Sequence, residues 1–578
     1  MIPKSYQWLL WGSFIFFLGA MLLRQESAIT QDLGRHLRLG EMIVAGGDER
    51  KCALFSNCLT FTHPDYLFVN HHWGSEIIFY LIHKWAGFSG IIIFKAIILG
   101  LTFLITVLHA SQFLNTLKTQ RTGDPENRII RKSDIRLSGV LNFRQSGFLS
   151  IPSFPNLAIA VALTFLSIQM MADRLTTRPE IFGYLLFAIL FWVLDRRKER
   201  LPRHPSTSLG LLAMTVTTSL IILIWVNLHI SFIFGLILVW IWAGSRLLTS
   251  LRGNVSDRGN LQDRHVPISS GLSMTPVAIA TASTIASTMI IIFNPSGLRG
   301  ALMPLSILKD YGYTVVENMT PFFLSAFKPQ PEYWIYTLLL LTVTVLLIIS
   351  PKKPPLFSIL TFYIFSIFPL IAVRHLPFFG LTTVPILTLL VAVKFRKLHN
   401  DEKFAKLPIL VASSLLIAAL TNPIPLVYGK LSPIGLTIDS RHNQAIDFVK
   451  QNNLQGQMWN NYDIGSFLEW AIPEHKTFVD GRPEAFPVGF FQDVYIPMQE
   501  DKTAWDLVAT KYDIQWIFVA LTDATPWFIK WWQMIRDHKD WRIVYIDNFS
   551  AVLVKVDSQN NLIGPQGKTK ILNINSLD

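Results

Sequence analysis

The stretch WLLWGSFIFFLGAMLL (Trp8 to Leu23), closely followed by QDLGRHLRLGE (Gln31 to Glu41), sets how the rest of the chain is read. The first run is apolar, is preceded by Lys4 and lacks a small-x-small cleavage site, so it reads as an uncleaved signal anchor with a cytoplasmic N-terminus. In the second, apolar residues recur at helical spacing while Asp32 and His36 share one face. A carboxylate therefore stands at the outer rim of the membrane. Residue type alone leaves two roles open for Asp32: a cap accepting the orphan backbone donors of the helix that follows, or a group that does chemistry.

The composition extends this reading to the whole chain. With 578 residues, 51% hydrophobic, 16% charged and a mean hydropathy of +0.38, the sequence is far from the roughly 25% charged composition of a soluble domain. The apolar runs are long and do not alternate in period two, so helices and not a barrel do the spanning. After the anchor, spans are expected at about 88–113, 149–171, 180–194, 208–227, 230–246, 272–293, 335–350, 356–373, 377–393 and 407–423. About eleven spans of about 20 residues use roughly 220 residues, which excludes a simple channel bundle.

The net charge of +12 is not gathered into one stripe as in a nucleic-acid binder. It follows the positive-inside rule. The loops assigned to the cytoplasm carry Lys118, Arg121, Arg128, Arg131, Lys132, Arg136 and Arg144, then Arg196 to Arg200, Arg246 to Arg264, Lys352 and Lys353, and Arg396 to Lys406. The short outer loops hold chiefly Arg174, Arg178, Arg299 and Arg374. Ser75 to Ala86 is too short for a crossing and reads as an interfacial helix. Lys95, inside a span, is expected to snorkel outward.

This divides the chain into a membrane domain, 1–423, with a first outer loop at 24–87, and an extracytoplasmic tail, 424–578. In the tail, helical stretches (Asn443 to Gln451, Thr503 to Lys511, Trp527 to Arg536) alternate with short strands (Thr477 to Val479, Trp516 to Ala520, Trp541 to Ile546, Ala551 to Val556), as in a small α/β domain. The expected fold is thus a polytopic α-helical membrane protein with a C-terminal α/β domain. Only Cys52 and Cys58 are present, which excludes a cysteine metal site; both lie in the first outer loop and pair if that compartment is oxidising. No Walker loop, dinucleotide glycine fingerprint or Ser-His-Asp signature occurs.

Taken in order, Asp32-Leu33-Gly34-Arg35-His36-Leu37, Asn70-His71-His72-Trp73, Arg178-Pro179-Glu180, Trp225-Val226-Asn227-Leu228-His229, Asn294-Pro295-Ser296-Gly297, Arg374-His375 and Val479-Asp480-Gly481-Arg482 resemble the GT-C fold glycosyltransferases, a superfamily that includes protein O-mannosyltransferases, oligosaccharyltransferases and the aminoarabinose transferases of lipid A. The resemblance implies transfer of a sugar from a polyprenyl-phosphate donor to an outer-face glycan, lipid or protein, in a bacterial inner membrane. It makes Asp32 the candidate general base, with Asp173 as a second acid in the next outer loop. Arg178 and Arg374 are the candidates for the departing phosphate because a guanidinium fork bonds two oxygens at once, with His375 beside them. His36, His229, Asp480 and Arg482 are candidate sugar or acceptor contacts. No cofactor is expected, although His71, His72 and Glu76 are residue types that bind a divalent metal. The rival classes are a transporter or flippase of lipid-linked saccharides and a non-catalytic membrane scaffold.

Overall fold

A computed structural model describes residues 4–27, 32–119, 154–195, 207–257, 276–307, 311–327, 331–394, 406–421, 432–439 and 441–556. Most of the connector from Lys118 to Arg144, and the basic residues at 196–200, 258–264 and 396–403, lie outside these residues.

Helices occupy every stretch expected to span. They are α1 (Lys4–Leu22), the long α4 (Trp73–Thr119), α5 (Phe154–Met170), α6 (Glu180–Asp195), α7 (Thr207–Val226), α8 (Phe232–Asp257), α9 (Pro276–Met289), α12 (Pro331–Ile349), α13 (Leu356–Ile371), α14 (Leu376–Lys394) and α15 (Leu407–Thr421). Between them on the chain are α2 (Leu33–Ala45), α3 (Gly47–Phe55), α10 (Gly297–Ser306) and α11 (Pro321–Phe327). By length and composition Trp73–Ser111, Phe232–Leu251, Glu332–Ile349 and Val373–Lys394 are each sufficient to cross a membrane, and Val277–Ile292 with Gly297–Ser306 forms a pair bent by 104°. The helix α4 breaks at Gly87, where φ is 61° and ψ −160°. The break lies where the interfacial segment ending at Ala86 meets the expected span.

The tail contains α16 (Asn443–Asn452), β1 (Gln457–Asn460), α17 (Tyr462–Ala471), α18 (Pro497–Glu500), α19 (Lys502–Lys511), β2 (Ile514–Ala520), α20 (Pro526–Arg536), β3 (Trp541–Ile546) and β4 (Ser550–Lys555). The sheet order is β1-β2-β4-β3, with β1 and β2 parallel and the other pairs antiparallel. Central β2 reads IQWIFVA without polar alternation because both its faces are covered. Ile517 and Val519 join Trp459, Trp505 and Trp531 on one side, while Trp516 and Phe518 join Ile446, Phe467 and Leu468 on the other.

Two sequence expectations are corrected. Thr477 to Val479 is not a strand of this sheet: it threads past the first outer loop, making one bridge at Thr60 through Phe61 N to Thr477 O (3.1 Å) and Thr477 N to Leu59 O (3.2 Å). Lys95 does not snorkel. It is 2% exposed and ion-paired with Glu26, whose other oxygen accepts the Thr177 amide at 3.2 Å. A cation within a span is costly unless paired, and Glu26, just beyond the anchor, brings the partner. The same segment pairs through Arg24 and Glu26 with Ile434 and Ile438, so the first loop and the base of the tail are stitched together.

The helix α2 lies between α4 and α17. It approaches them so closely that a Cβ at Gly34 would collide with the Ser466 carbonyl and one at Gly40 with the Glu76 carbonyl. Only glycine permits that packing, and it fixes Asp32, one residue ahead of α2, against the tail. Cys52 and Cys58, at the end of α3 and just beyond it, are joined by a disulfide.

Candidate active site

Asp32 occupies the N-cap position of α2 in a left-handed conformation (φ 54°, ψ 18°), and its side chain makes no capping hydrogen bond. Its carbonyl accepts the His36 amide at 3.1 Å, so the main chain starts the helix while the carboxylate is left for other contacts. One oxygen lies 3.6 Å from the Arg35 guanidinium, the side chain is 34% exposed, and the other oxygen sits over Gly481 of the tail. Two sequence motifs some 450 positions apart are thereby brought together. Tyr462, at the start of α17, feels the Asp32 charge, and burial with Asp32 and Glu484 nearby raises its phenol well above the usual range.

Behind Asp32 lies a buried polar cluster. Glu76 Oε1 is 3.0 Å from His36 Nδ1 and 3.9 Å from Arg35, while Glu76 Oε2 accepts from Asn70 at 2.6 Å. The His72 ring lies 5.3 Å from that of His36, 4.0 Å from His71, and stacks on His229 at 5.1 Å. Burial holds His36, His72 and His229 well below their usual pKa, and His71 at about 4. These imidazoles are neutral at pH 7 and offer lone pairs. Donor atoms of His36, His72 and Glu76 lie within 4.8 Å of one another, a set that suits a divalent ion of the zinc type, with Asn70 orienting the carboxylate and Arg35 opposing the charge. His71, although its ring is 4.0 Å from that of His72, is not part of this set, and its Nδ1 pairs with the Val69 carbonyl at 3.2 Å. His229 is held by Ser231 at 2.7 Å.

The arginines gather around Glu317, with Glu180 3.5 Å from Arg174. Glu317, in the loop between α10 and α11, accepts from Arg174 and from Arg178 on the same oxygen, each at 2.7 Å, and its other oxygen is 3.7 Å from Arg374. Burial acts to raise its pKa, but the three guanidinium charges outweigh that and hold it well below the usual carboxylate range. Arg374 also donates to Asn318 at 2.8 Å. The field of Arg178 reaches His36 and that of Arg374 reaches His71 and His229, so this center borders the histidine cluster.

Asp480 and Arg482 are 0% and 1% exposed. They are ion-paired with each other, Arg482 Nε lying 3.1 Å from both Asp480 oxygens, and Arg482 also donates to Asn57 at 2.9 Å. Their side chains lock the turn beneath Asp32. Glu469, beside Asp480, is raised well above its usual pKa by burial and by the Asp480 charge, and so holds the proton between the two.

The structure leaves Asp173 out of this constellation and places His375 at its edge, within the field of Arg374 and Arg174. Asp173 is exposed, on the turn Ala172–Arg174, with its charge near Tyr333. His375 Nδ1 pairs with the Phe368 carbonyl at 3.1 Å, and its ring packs on Phe234 and Phe368. Sequence reasoning missed Glu317, and Arg174 and Arg35 as members of the site. The available signal was charge balance, since Arg174, Arg178 and Arg374 in loops between apolar helices call for a carboxylate among those loops.

No protein-family profile matches the chain, and no curated protein does. Solved structures do. The Archaeoglobus fulgidus oligosaccharyltransferase AglB, in complex with an inhibitory peptide and a dolichol-phosphate, aligns with a TM-score of 0.53 at 12% identity over 89% of this chain and 69% of AglB. The same protein tethered with an acceptor peptide containing the NVT sequon gives 0.53 at 12% over 90% and 69%. ArnT from Cupriavidus metallidurans bound to undecaprenyl phosphate gives 0.46 at 10% over 98% and 100%. The chain shares its fold with the AglB structure.

Proposed function

We propose that this chain is a membrane glycosyltransferase that moves a sugar from a polyprenyl-phosphate donor to an extracytoplasmic glycan, lipid or protein, with inversion. The observation that carries the reading is Asp32: on a GT-C fold, at the rim of the helical bundle, its carboxylate is partly exposed and makes no capping bond. In the proposed step the acceptor hydroxyl oxygen attacks the anomeric carbon, the bond from that carbon to the phosphate oxygen breaks with its electron pair leaving on phosphate, and the hydroxyl proton passes to Asp32. Arg178 and Arg374, with Arg174, neutralise the leaving phosphate. His36 and His229 line the space between base and arginines. The Asp480–Arg482 pair positions the turn that backs Asp32. Asp173 and His375 stand at the margin, as a loop acid and as packing for the Arg374 turn.

The donor's lipid enters sideways between helices, and eleven crossings place the first loop and the tail outside a bacterial inner membrane. A reporter fused after Lys353 or Lys406 is then cytoplasmic, and one at Asp578 extracytoplasmic. The step needs no organic cofactor. A divalent ion, where bound, is held by His36, His72 and Glu76 and adds positive charge beside Arg35.

The test compares lipid and surface-glycan masses in cells lacking the protein, restored with wild type, and restored with a stably inserted Asp32→Asn variant. Loss of a sugar-sized mass on deletion, regained only with the carboxylate, supports the reading and identifies the sugar. Full restoration by Asp32→Asn removes the base and advances the transporter or scaffold readings.

A further inference from the structure

Three arginines converge on Glu317 at the center where the proposed reaction needs a phosphate, and Arg174 also lies 3.5 Å from the buried Glu180. Glu317 offers two oxygens to three guanidinium groups: Arg174 and Arg178 both bond the same oxygen at 2.7 Å, and the other lies 3.7 Å from Arg374, beyond hydrogen-bond distance. A phosphate oxyanion presents more oxygens in a tetrahedral array and matches three converging forks better than a planar carboxylate does. Asn318, next on the chain, has a buried Nδ2 donor with no acceptor while its Oδ1 takes Arg374.

Glu317 is carried by a strap, Tyr311 to Thr320, that is anchored at both ends of the candidate site. At one end the Met319 carbonyl accepts the Val373 amide at 3.1 Å, adjoining Arg374. At the other, Gly312 lies against the Val488 carbonyl so closely that a Cβ would collide with it, and Tyr313 stacks on Tyr462 at 4.4 Å. The Asp32 charge reaches the Tyr462 phenol. One short segment therefore touches the arginine center and the start of α17, the helix against which Gly34 of the Asp32 segment packs.

We propose that Glu317 is a built-in placeholder for the donor's phosphate: the polyprenyl-phosphate group binds by displacing its carboxylate from Arg174, Arg178 and Arg374, and the displaced strap shifts Tyr313 against Tyr462 at the start of α17. This rests on the arginine assignment in the proposed function. A placeholder keeps three partly buried cations paired when no donor is present, which is less costly than leaving them uncompensated, and it excludes weaker anions. Donor binding is an exchange of one anion for another, and its apparent affinity is reduced by the stability of the internal pair.

The test uses the full chain in nanodiscs with farnesyl phosphate as probe, comparing wild type, Glu317→Gln and Arg178→Gln. Affinity is read by native mass spectrometry, and strap opening by hydrogen–deuterium exchange of the peptide covering 311–320. Glu317→Gln is expected to bind about tenfold tighter, equivalent to about 1.4 kcal/mol, and Arg178→Gln more weakly. In wild type, farnesyl phosphate is expected to speed exchange at the Asn318 and Met319 amides. Inorganic phosphate producing the same acceleration at higher concentration assigns recognition to the anion and not to the lipid chain. Weaker or unchanged binding by Glu317→Gln, with Arg178→Gln still impaired, overturns the placeholder and keeps the arginine site. If Arg178→Gln binds as wild type, the arginine site itself falls. Should Glu317→Gln fail to insert, the exchange measurement on wild type decides alone: slower or unchanged exchange overturns the proposal.

Discussion

Two ion-pair centers of this molecule use the same chemistry and are built in opposite ways. Asp480 and Arg482 are two residues apart, 0% and 1% exposed, and joined through several hydrogen bonds. Glu317 and its three arginines come from three separate loops, each side chain except that of Arg174 is about a quarter exposed, and two donors crowd onto one oxygen. The local pair is sealed, and breaking it leaves a buried charge with nowhere to go. The long-range center is partly exposed at its margin. The first is a structural device, and the second is suited to exchange.

The largest expected effect follows from the sealed pair. Arg482→Met strands the Asp480 charge and is expected to cost about 3–5 kcal/mol of stability, read as loss of folded protein in detergent. The double variant Asp480→Asn, Arg482→Met removes that charge and is expected to recover most of the loss. A single variant as stable as wild type would break the comparison.

A second effect comes from the same sheet domain and depends on pH. His442, 3% exposed and 2.7 Å from Ser550 Oγ, is held at about 4 by burial, with the Asp439 and Asp547 charges raising it and Arg441 lowering it. Its folded pKa lies below the unfolded value of about 6.5, so the unfolded chain binds the extra proton first. Stability is full above about pH 6.5 and falls, by up to about 3 kcal/mol, as the pH drops toward 4. His442→Gln is expected to flatten that slope in a pH series of thermal melts; an unchanged slope assigns it elsewhere.

At the open center the effect is smaller and appears in binding. Arg374→Lys keeps the charge but loses the planar fork. Farnesyl phosphate affinity is expected to fall about fivefold, roughly 1 kcal/mol, with stability changed by less. A stability loss as large as that of Arg482→Met would show that the two centers do not differ in kind.

The two centers also differ in how far sequence discloses them. Apolar runs of bilayer length placed the long helices because hydropathy over about 20 residues is a strong signal, and Asp32 stood out because it follows the anchor directly. The pair at Asp480 and Arg482 lies in one short motif, so it was visible as a unit, although its burial was not. Glu317 has no such context. It sits in a short turn between two brief helices, and nothing local marks it; its meaning arises only when folding brings Arg174, Arg178 and Arg374 around it. In the tail, β1 carries little sequence signal because QMWN is only four residues long, while Thr477 to Val479 has the apolar character of a strand but pairs with the first loop and not with the sheet. Lys95 was misjudged for a related reason: Glu26, its partner, is 69 positions away.

The smallest expected change in stability joins the sealed region to the proposed chemistry. Gly481, between Asp480 and Arg482, is where the Asp32 carboxylate rests, and a Cβ there would collide with its oxygen. The obstacle is the end of a side chain and not backbone, so Gly481→Ala is expected to be accommodated by a shift of Asp32 at a cost of less than about 1 kcal/mol, well below the cost of overpacking a rigid core. With Asp32 as the proposed base, transfer is expected to be more sensitive than stability, because a general base must sit within hydrogen-bond reach of the proton it takes. A fall of about tenfold in kcat, with farnesyl phosphate affinity and melting temperature near wild type, is the expected result. Equal losses in folding and transfer would instead make the Asp32–Gly481 contact a packing contact, and would separate the sealed turn from the reaction it is argued to support.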